Sequence, residues 1–345
     1  MQEKFDWDDI LIEPAVQTDI KSRKDIDVFR YNFLQELPLI AAPMDTVVSL
    51  DNISVFLDNK INVCLPRGLY PPQEYLNDPR VWYSVGLQEF EELIKKDPTE
   101  VPSYVLIDIA NGHTIYLCNA IKRARKKFDG YINKYMTIMA GNIANPEAYF
   151  TLSDAGADYI RVGIGAGGGC LSTVQLGVGY PMASLIQQCA NLKQHRKNPA
   201  KIVADGGFKT YSDIIKALAL GSDIVMVGSL FNKSIESAGH NYLYGIPISD
   251  KIGKYLFTKG FPIKKKFRGM STKEVQKAWG KAEIKTSEGI VTFRKVEYTL
   301  SSWTENFRDY LASAMSYTNK KTLDEFIGKV KFNFITTAAF RRFNK

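Results

Sequence analysis

The sequence lacks any uninterrupted apolar run of the roughly 18 residues that a membrane-spanning helix needs. It holds four cysteines with no C-x-x-C pair among them, and only three histidines. Neither a zinc site nor a disulfide framework is written in such spacing, and each cysteine is expected to be reduced. The opening residues MQEKFDWDDI alternate charges around no apolar core, so they do not read as a secretory leader, and a cytoplasmic protein is expected. No G-x-G-x-x-G turn follows the first strand candidate, where Pro43-Met44-Asp45-Thr46-Val47 stands instead; this argues against an open dinucleotide-binding sheet. The net charge of +8 is concentrated in local runs such as Lys264-Lys265-Lys266 and Arg341-Arg342, with no interleaved aromatic residues. That pattern argues against a nucleic-acid partner and for a positive field that attracts a phosphorylated small molecule.

What is present is ordinary globular material: 345 residues, 45% hydrophobic and 24% charged. Short apolar runs recur at Pro38–Ala42, Ile61–Leu65, Val81–Val85, Tyr104–Ile109, Tyr135–Ala140, Asp158–Gly163, Lys201–Ala204 and Asp223–Val227. They are continuously apolar, as strands buried on both faces of a parallel sheet must be. Between them, Thr114–Lys127, Pro146–Ala155, Met182–Gln194 and Tyr211–Leu220 have the apolar spacing of helices. Two near-identical phrases, Asp154-Ala155-Gly156-Ala157-Asp158 and Ala219-Leu220-Gly221-Ser222-Asp223, end a helix on glycine and lead into a strand through aspartate. Eight strands in βα alternation predict an α/β fold, a (β/α)8 TIM barrel of one domain over residues 1–345, with its chemistry on the loops after the strands. Helices over Ser301–Ser316 and Thr322–Val330 are expected to pack on the barrel exterior.

The densest signal is Gly163-Ile164-Gly165-Ala166-Gly167-Gly168-Gly169-Cys170, five glycines in seven residues leading to a thiol. Glycine lets a backbone approach a ligand closely, and converging amides lower a thiol pKa toward the nucleophilic thiolate. The plain alternative is a flexible loop with an incidental cysteine. Cys64, Cys118 and Cys189 sit in apolar or helical contexts and read as buried structural residues. Ala204-Asp205-Gly206-Gly207 and Gly228-Ser229 close two successive strands, where free amides form a phosphate cradle or simply two tight turns. Asp205 reads either as an acceptor for a ribose diol or as a cap for the next helix. Asp108 and Asn142, at two further strand ends, are able to fix a carboxamide by hydrogen bonds, or to act as turn residues. His113 reads as a solvated loop residue.

In order and spacing, these phrases resemble the IMP dehydrogenase and GMP reductase family, from near Phe5 to at least Val330. The phrases are Phe5-Asp6-Trp7-Asp8-Asp9-Ile10-Leu11, Ala42-Pro43-Met44-Asp45-Thr46-Val47, the glycine loop with Cys170, Gly177-Val178-Gly179-Tyr180-Pro181, Ala204-Asp205-Gly206-Gly207, Gly228-Ser229-Leu230-Phe231 and Arg268-Gly269-Met270-Ser271. The resemblance implies an oxidoreductase of purine metabolism, usually a homotetramer, that bonds its loop cysteine to purine C2. Three features favour the reductase branch. The regulatory CBS insert of the dehydrogenase is absent. Asp108-Ile109-Ala110-Asn111-Gly112 looks like the reductase form of that strand end. Lys285-Thr286-Ser287-Glu288-Gly289 looks like its short mobile segment, expected within about 262–300, and carries no Arg-Tyr pair; the only such dipeptide is Arg30-Tyr31.

The implied reaction is NADPH-dependent reductive deamination of GMP to IMP and ammonia. By that resemblance Cys170, Ser172 and Glu288 are catalytic, while Met44, Asn142, Asp205, Gly206, Gly207, Gly228, Ser229, Arg268, Gly269, Met270 and Ser271 line the nucleotide site. Asp108, Ala110, Asn111 and Gly112 face the cofactor, and the carbonyls of Gly165, Gly167 and Cys170 match those that hold a monovalent cation, usually potassium. Three departures stand out. Gly168 replaces a serine whose hydroxyl helps hold phosphate, Ala166 stands where proline is common, and Leu171-Ser172 replaces Thr-Thr. They leave open a deoxy or modified guanine nucleotide as substrate. The same motifs also fit IMP dehydrogenase activity, or a barrel that binds a nucleotide without turning it over.

Overall fold

In a computed structural model, the structure describes residues 3–30, 34–129, 135–168, 171–270, 272, 275 and 289–343. Strand β1 (Ile10–Ile12) pairs antiparallel with the distant strand β14 (Phe332–Phe334), tying the two ends of the chain together. Between them, β2 (Leu39–Ala41), β3 (Asn62–Cys64), β4 (Val81–Val85), β5 (Tyr104–Asp108), β6 (Thr137–Ile143), β7 (Tyr159–Val162), β8 (Lys201–Asp205) and β9 (Ile224–Val227) form a closed barrel in chain order. Every pairing is parallel, and β2 closes on β9 with Ala41 opposite Val227. This is a (β/α)8 barrel. All eight expected strands are present.

The continuous apolar runs follow from this closure. Alternate strand residues point to opposite faces. Ile40, Cys64, Trp82, Leu106, Met139, Val203 and Met226 fill the barrel interior. Their neighbours Leu39, Val63, Val105, Ile138, Ile202 and Val225 pack outward under the helices. Strand β6 runs three residues beyond its expected end, because Ile143 still pairs with Val162 and the Asn142 amide donates to Ile109 O at 2.8 Å. Gly141 and Asn142, placed at a strand end with a turn as one of two readings of Asn142, therefore belong to the strand itself.

The two repeated phrases are one structural device used twice. Gly156 and Gly221 take φ of +104° and +113°, which turn the chain out of a helix. The aspartate that follows then reaches across to the preceding strand. Asp158 accepts from the Ile138 amide at 2.7 Å and pairs with Arg125, and Asp223 accepts from the Ile202 amide at 2.6 Å and pairs with Lys193.

After β9 the chain builds a four-stranded antiparallel sheet from β10 (Asn241–Leu243), β11 (Ile246–Ile248), β12 (Ile263–Arg268) and β13 (Val291–Lys295), in the order β11-β10-β12-β13. The segment expected over about 262–300 thus has paired strands at both ends. The expected helix Ser301–Ser316 is seen as Leu300–Tyr317, stacked on the exterior through Trp303, which lies 5.1 Å from the Tyr211 ring. The expected helix Thr322–Val330 is corrected to the short Leu323–Phe326. Ile327 caps it in an extended conformation, and Gly328 follows at φ +67°, where a Cβ would stand 3.2 Å from the Gly221 Cα. No helix among the described residues is long and apolar enough to cross a membrane.

Candidate active site

A cavity of about 590 Å³ opens at the C-terminal mouth of the barrel, within the size range of small-molecule sites. The strand ends supply its walls: Ala42–Met44 after β2, Asp108–Ala110 after β5, Asn142 from β6, Gly163–Gly168 after β7, Asp205–Phe208 after β8, and Gly228 with Ser229 after β9. Phe267, Gly269 and Met270 reach in from the end of β12. That strand is held over the mouth by Arg268, whose guanidinium grips both Asp45 oxygens from above the β2 loop.

The floor is polar and closely bonded. Arg161 occupies an inward position of β7 between the outward Ile160 and Val162, and is buried. Its Nε donates to Asp205 Oδ2 at 2.8 Å and its Nη1 donates to Asp108 Oδ1. Burial works against the charge on Arg161, but Asp205 and Asp108 outweigh it and hold its pKa above the ordinary guanidinium value. The Asn142 amide donates to the same Asp205 Oδ2 and to Gly163 O, each at 2.7 Å. Asp205 Oδ1 takes no hydrogen bond among the described residues. The helix after β8 is capped instead by Thr210 with Asp213, so Asp205 is not its cap.

The two glycine-rich turns touch. A Cβ on Gly206 would stand 3.0 Å from the Gly167 amide nitrogen. Gly165 has φ +78° and a Cβ there would lie 1.9 Å from Thr173 Oγ1, so the loop is pressed against the helix Ser172–Leu176. Only glycine fits there. Ser172, at the start of that helix, is buried and lines the cavity. Behind Gly207, the indole N–H of Trp7 is buried with no acceptor among the described residues, 3.3 Å from where a Gly207 Cβ would stand. An unmet donor beside these turns suits a ligand that brings oxygen acceptors.

Cys64, Cys118 and Cys189 are all buried. Burial pushes the Cys118 thiol up, pushes Cys189 to about 12, and pushes Cys64 well above its ordinary value although Arg161 is near. None of the three is a thiolate at neutral pH. Cys170, Ser271 and Glu288 lie outside the described residues, so of the three residues expected to hold a cation only Gly165 and Gly167 are described, and both line the cavity.

The structure therefore brings Met44, Asp108, Ala110, Asn142, Ser172, Asp205, Gly206, Gly207, Gly228, Ser229, Gly269 and Met270 to one cavity. Asn111 is elsewhere: it accepts from the His113 amide at 3.1 Å in its own turn. Gly112 packs beneath the Asn142 carbonyl, where a Cβ would meet oxygen at 2.6 Å. His113 is tied into a loop, its Nε2 accepting from Ala144 N at 3.0 Å. Sequence reasoning missed Arg161 and Phe267. A lone arginine inside the apolar strand Tyr159-Ile160-Arg161-Val162 was the available signal for the first.

The sequence family described as IMP dehydrogenase / GMP reductase domain matches residues 98–344. The chain is 31% identical to the GMP reductase 2 of Homo sapiens, over 96% of this chain and 94% of that one. It is 33% identical to the GMP reductase of Phytophthora infestans, over 83% of this chain and 78% of that one. Similarity reaches bacteria as well, with 30% identity to the GMP reductase of Oceanobacillus iheyensis across 94% of both chains.

Proposed function

Since the chain belongs to the IMP dehydrogenase / GMP reductase family, we propose that it is an NADPH-dependent GMP reductase, converting GMP to IMP and ammonia. The observation that carries this reading is the meeting of the glycine loop that leads to Cys170 with the turns at Asp205–Gly207 and Gly228-Ser229 around one cavity. The turn amides cradle the phosphate. Asp205 Oδ2 is occupied by Arg161 and Asn142, and Oδ1 is left to accept from a ribose hydroxyl.

With the nucleotide held in this way, the Cys170 thiolate attacks purine C2. Glu288, with the Ser172 hydroxyl, protonates the exocyclic amine, because an amide-like anion does not leave unprotonated. Ammonia departs, and hydride arriving at C2 displaces the thiolate to give IMP. NADPH, when bound, supplies that hydride, so each turnover consumes one hydride and one proton and releases one ammonia. By the family resemblance, the carbonyls of Gly165, Gly167 and Cys170 would hold a monovalent cation, which would steady the loop by its charge.

The test is an assay of purified full-length protein with GMP and NADPH, following reduced-cofactor absorbance. GMP-dependent loss is expected, and Cys170→Ala should abolish it while leaving GMP binding nearly intact. Appearance of reduced cofactor from IMP and NAD+, with none lost in the first mixture, would make the chain a dehydrogenase instead.

A further inference from the structure

Strand β13 carries a cation that neither the motifs nor the mechanism uses. The Arg294 guanidinium carbon lies over the Phe267 ring, 3.9 Å from its centroid, and Phe267 lines the cavity. One Arg294 nitrogen, Nη2, donates to Gly168 O at a long 3.4 Å. No carboxylate pairs with Arg294 among the described residues. Burial pulls its pKa below the ordinary guanidinium value. A guanidinium has five N–H donors in a fork that matches phosphate, and a half-buried charge without a counterion is costly until an anion arrives.

Its position is specific. A Cβ on Gly168 would stand 3.0 Å from Arg294 Nη2 and 3.9 Å from the Ser229 Cβ. Gly168 thus leaves room for the guanidinium beside Ser229, at the cradle turn after β9. A serine at position 168 would press its side chain into that same space. The small residue and the arginine belong together: one clears the place and the other fills it.

We propose that Arg294 is a phosphate ligand of this site, binding the 5′-phosphate of a nucleoside monophosphate in place of the serine hydroxyl that position 168 lacks. The proposal rests on the nucleotide reading of the cavity but not on which base is bound. Docking the phosphate completes the pairing of Arg294 and anchors the nucleotide from the antiparallel sheet as well as from the barrel.

Titration calorimetry on the full chain tests it, with GMP, IMP, AMP and UMP compared with their nucleosides. Arg294→Ala should weaken the monophosphates about 10- to 100-fold and leave nucleoside affinity unchanged. Arg294→Lys, which keeps the charge without the fork, should lose less. Gly168→Ser placed in the Arg294→Ala background should recover part of the loss, while in the wild-type background it should weaken binding. An equal loss for nucleotide and nucleoside, or none for either, overturns the proposal by making Arg294 structural; so does a chain that binds none of the monophosphates. A phosphate-selective loss seen only with AMP or UMP would uphold Arg294 as a phosphate ligand while sinking the guanine reading, which keeps the two failures apart.

Discussion

Arg161 donates from Nε to Asp205 and from Nη1 to Asp108, so a single guanidinium is shared by two carboxylates at the barrel mouth. The three side chains are largely shielded, at 10% exposure for Arg161, 15% for Asp108 and 17% for Asp205. Removing the shared cation leaves two like charges facing each other without compensation. Arg161→Met should therefore lower the unfolding free energy by about 3–5 kcal/mol in urea titrations, and Arg161→Lys should restore little, since a single ammonium cannot fork to both partners. A loss below about 1 kcal/mol, as for a surface pair, would show that the carboxylates are relieved by something else. At this scale the sequence was informative where a residue type carries its own chemistry, as with Asp205 and Asn142, and through the family resemblance for Met44 and Ser172; all four line the cavity. It was uninformative where direction decides: nothing in Tyr159-Ile160-Arg161-Val162 states which side of the strand faces the mouth.

Among the elements, strand β12 departs most from its sequence reading. Lys264-Lys265-Lys266 looks like one solvated charge run, yet strand alternation turns the middle residue inward, and Lys265 is fully buried. Its ammonium donates to the carbonyls of Ser237 and of Gly239, the latter at 3.0 Å. The Gly239 amide in turn donates to Thr46 O at 3.0 Å, which fastens the sheet to the β2 loop. Burial pushes the Lys265 pKa down to about 8, against the pull of Asp250 and Glu236. Between about 8 and the ordinary 10.5 the unfolded chain holds a proton that the folded chain does not, so this group adds stability as pH rises through that window. Compared with Lys265→Met, the wild-type unfolding free energy should climb across pH 8 to 10 by at most about 1.4 kcal/mol per unit. A constant difference across that range would mean that the lysine is not titrating there. The barrel helices were legible because each has one apolar face and a marked end, as with Pro146 at the start and Gly156 at the stop of Pro146–Ala155. The strands β1, β10, β11 and β14 were not, since each is a three-residue antiparallel partner outside the βα alternation that marked the barrel strands.

Over the whole molecule, a closed parallel barrel supplies a rigid mouth, and an antiparallel sheet built from the chain after β9 is clamped across it by Arg268 and Asp45. The barrel could be read from eight runs apolar on both faces. The sheet could not, because its register joins residues far apart in the chain, Lys264 to Lys295 and Arg268 to Val291. The central claim is that this mouth delivers hydride to C2 of a phosphate-anchored guanine nucleotide. The most direct measurement uses NADPH carrying deuterium at both positions of nicotinamide C4, incubated with GMP and the full chain, and reads the purine product by mass spectrometry and proton NMR. The account expects IMP with a single deuterium at C2. IMP without deuterium, or GMP returned unchanged while bound at the site, would contradict it.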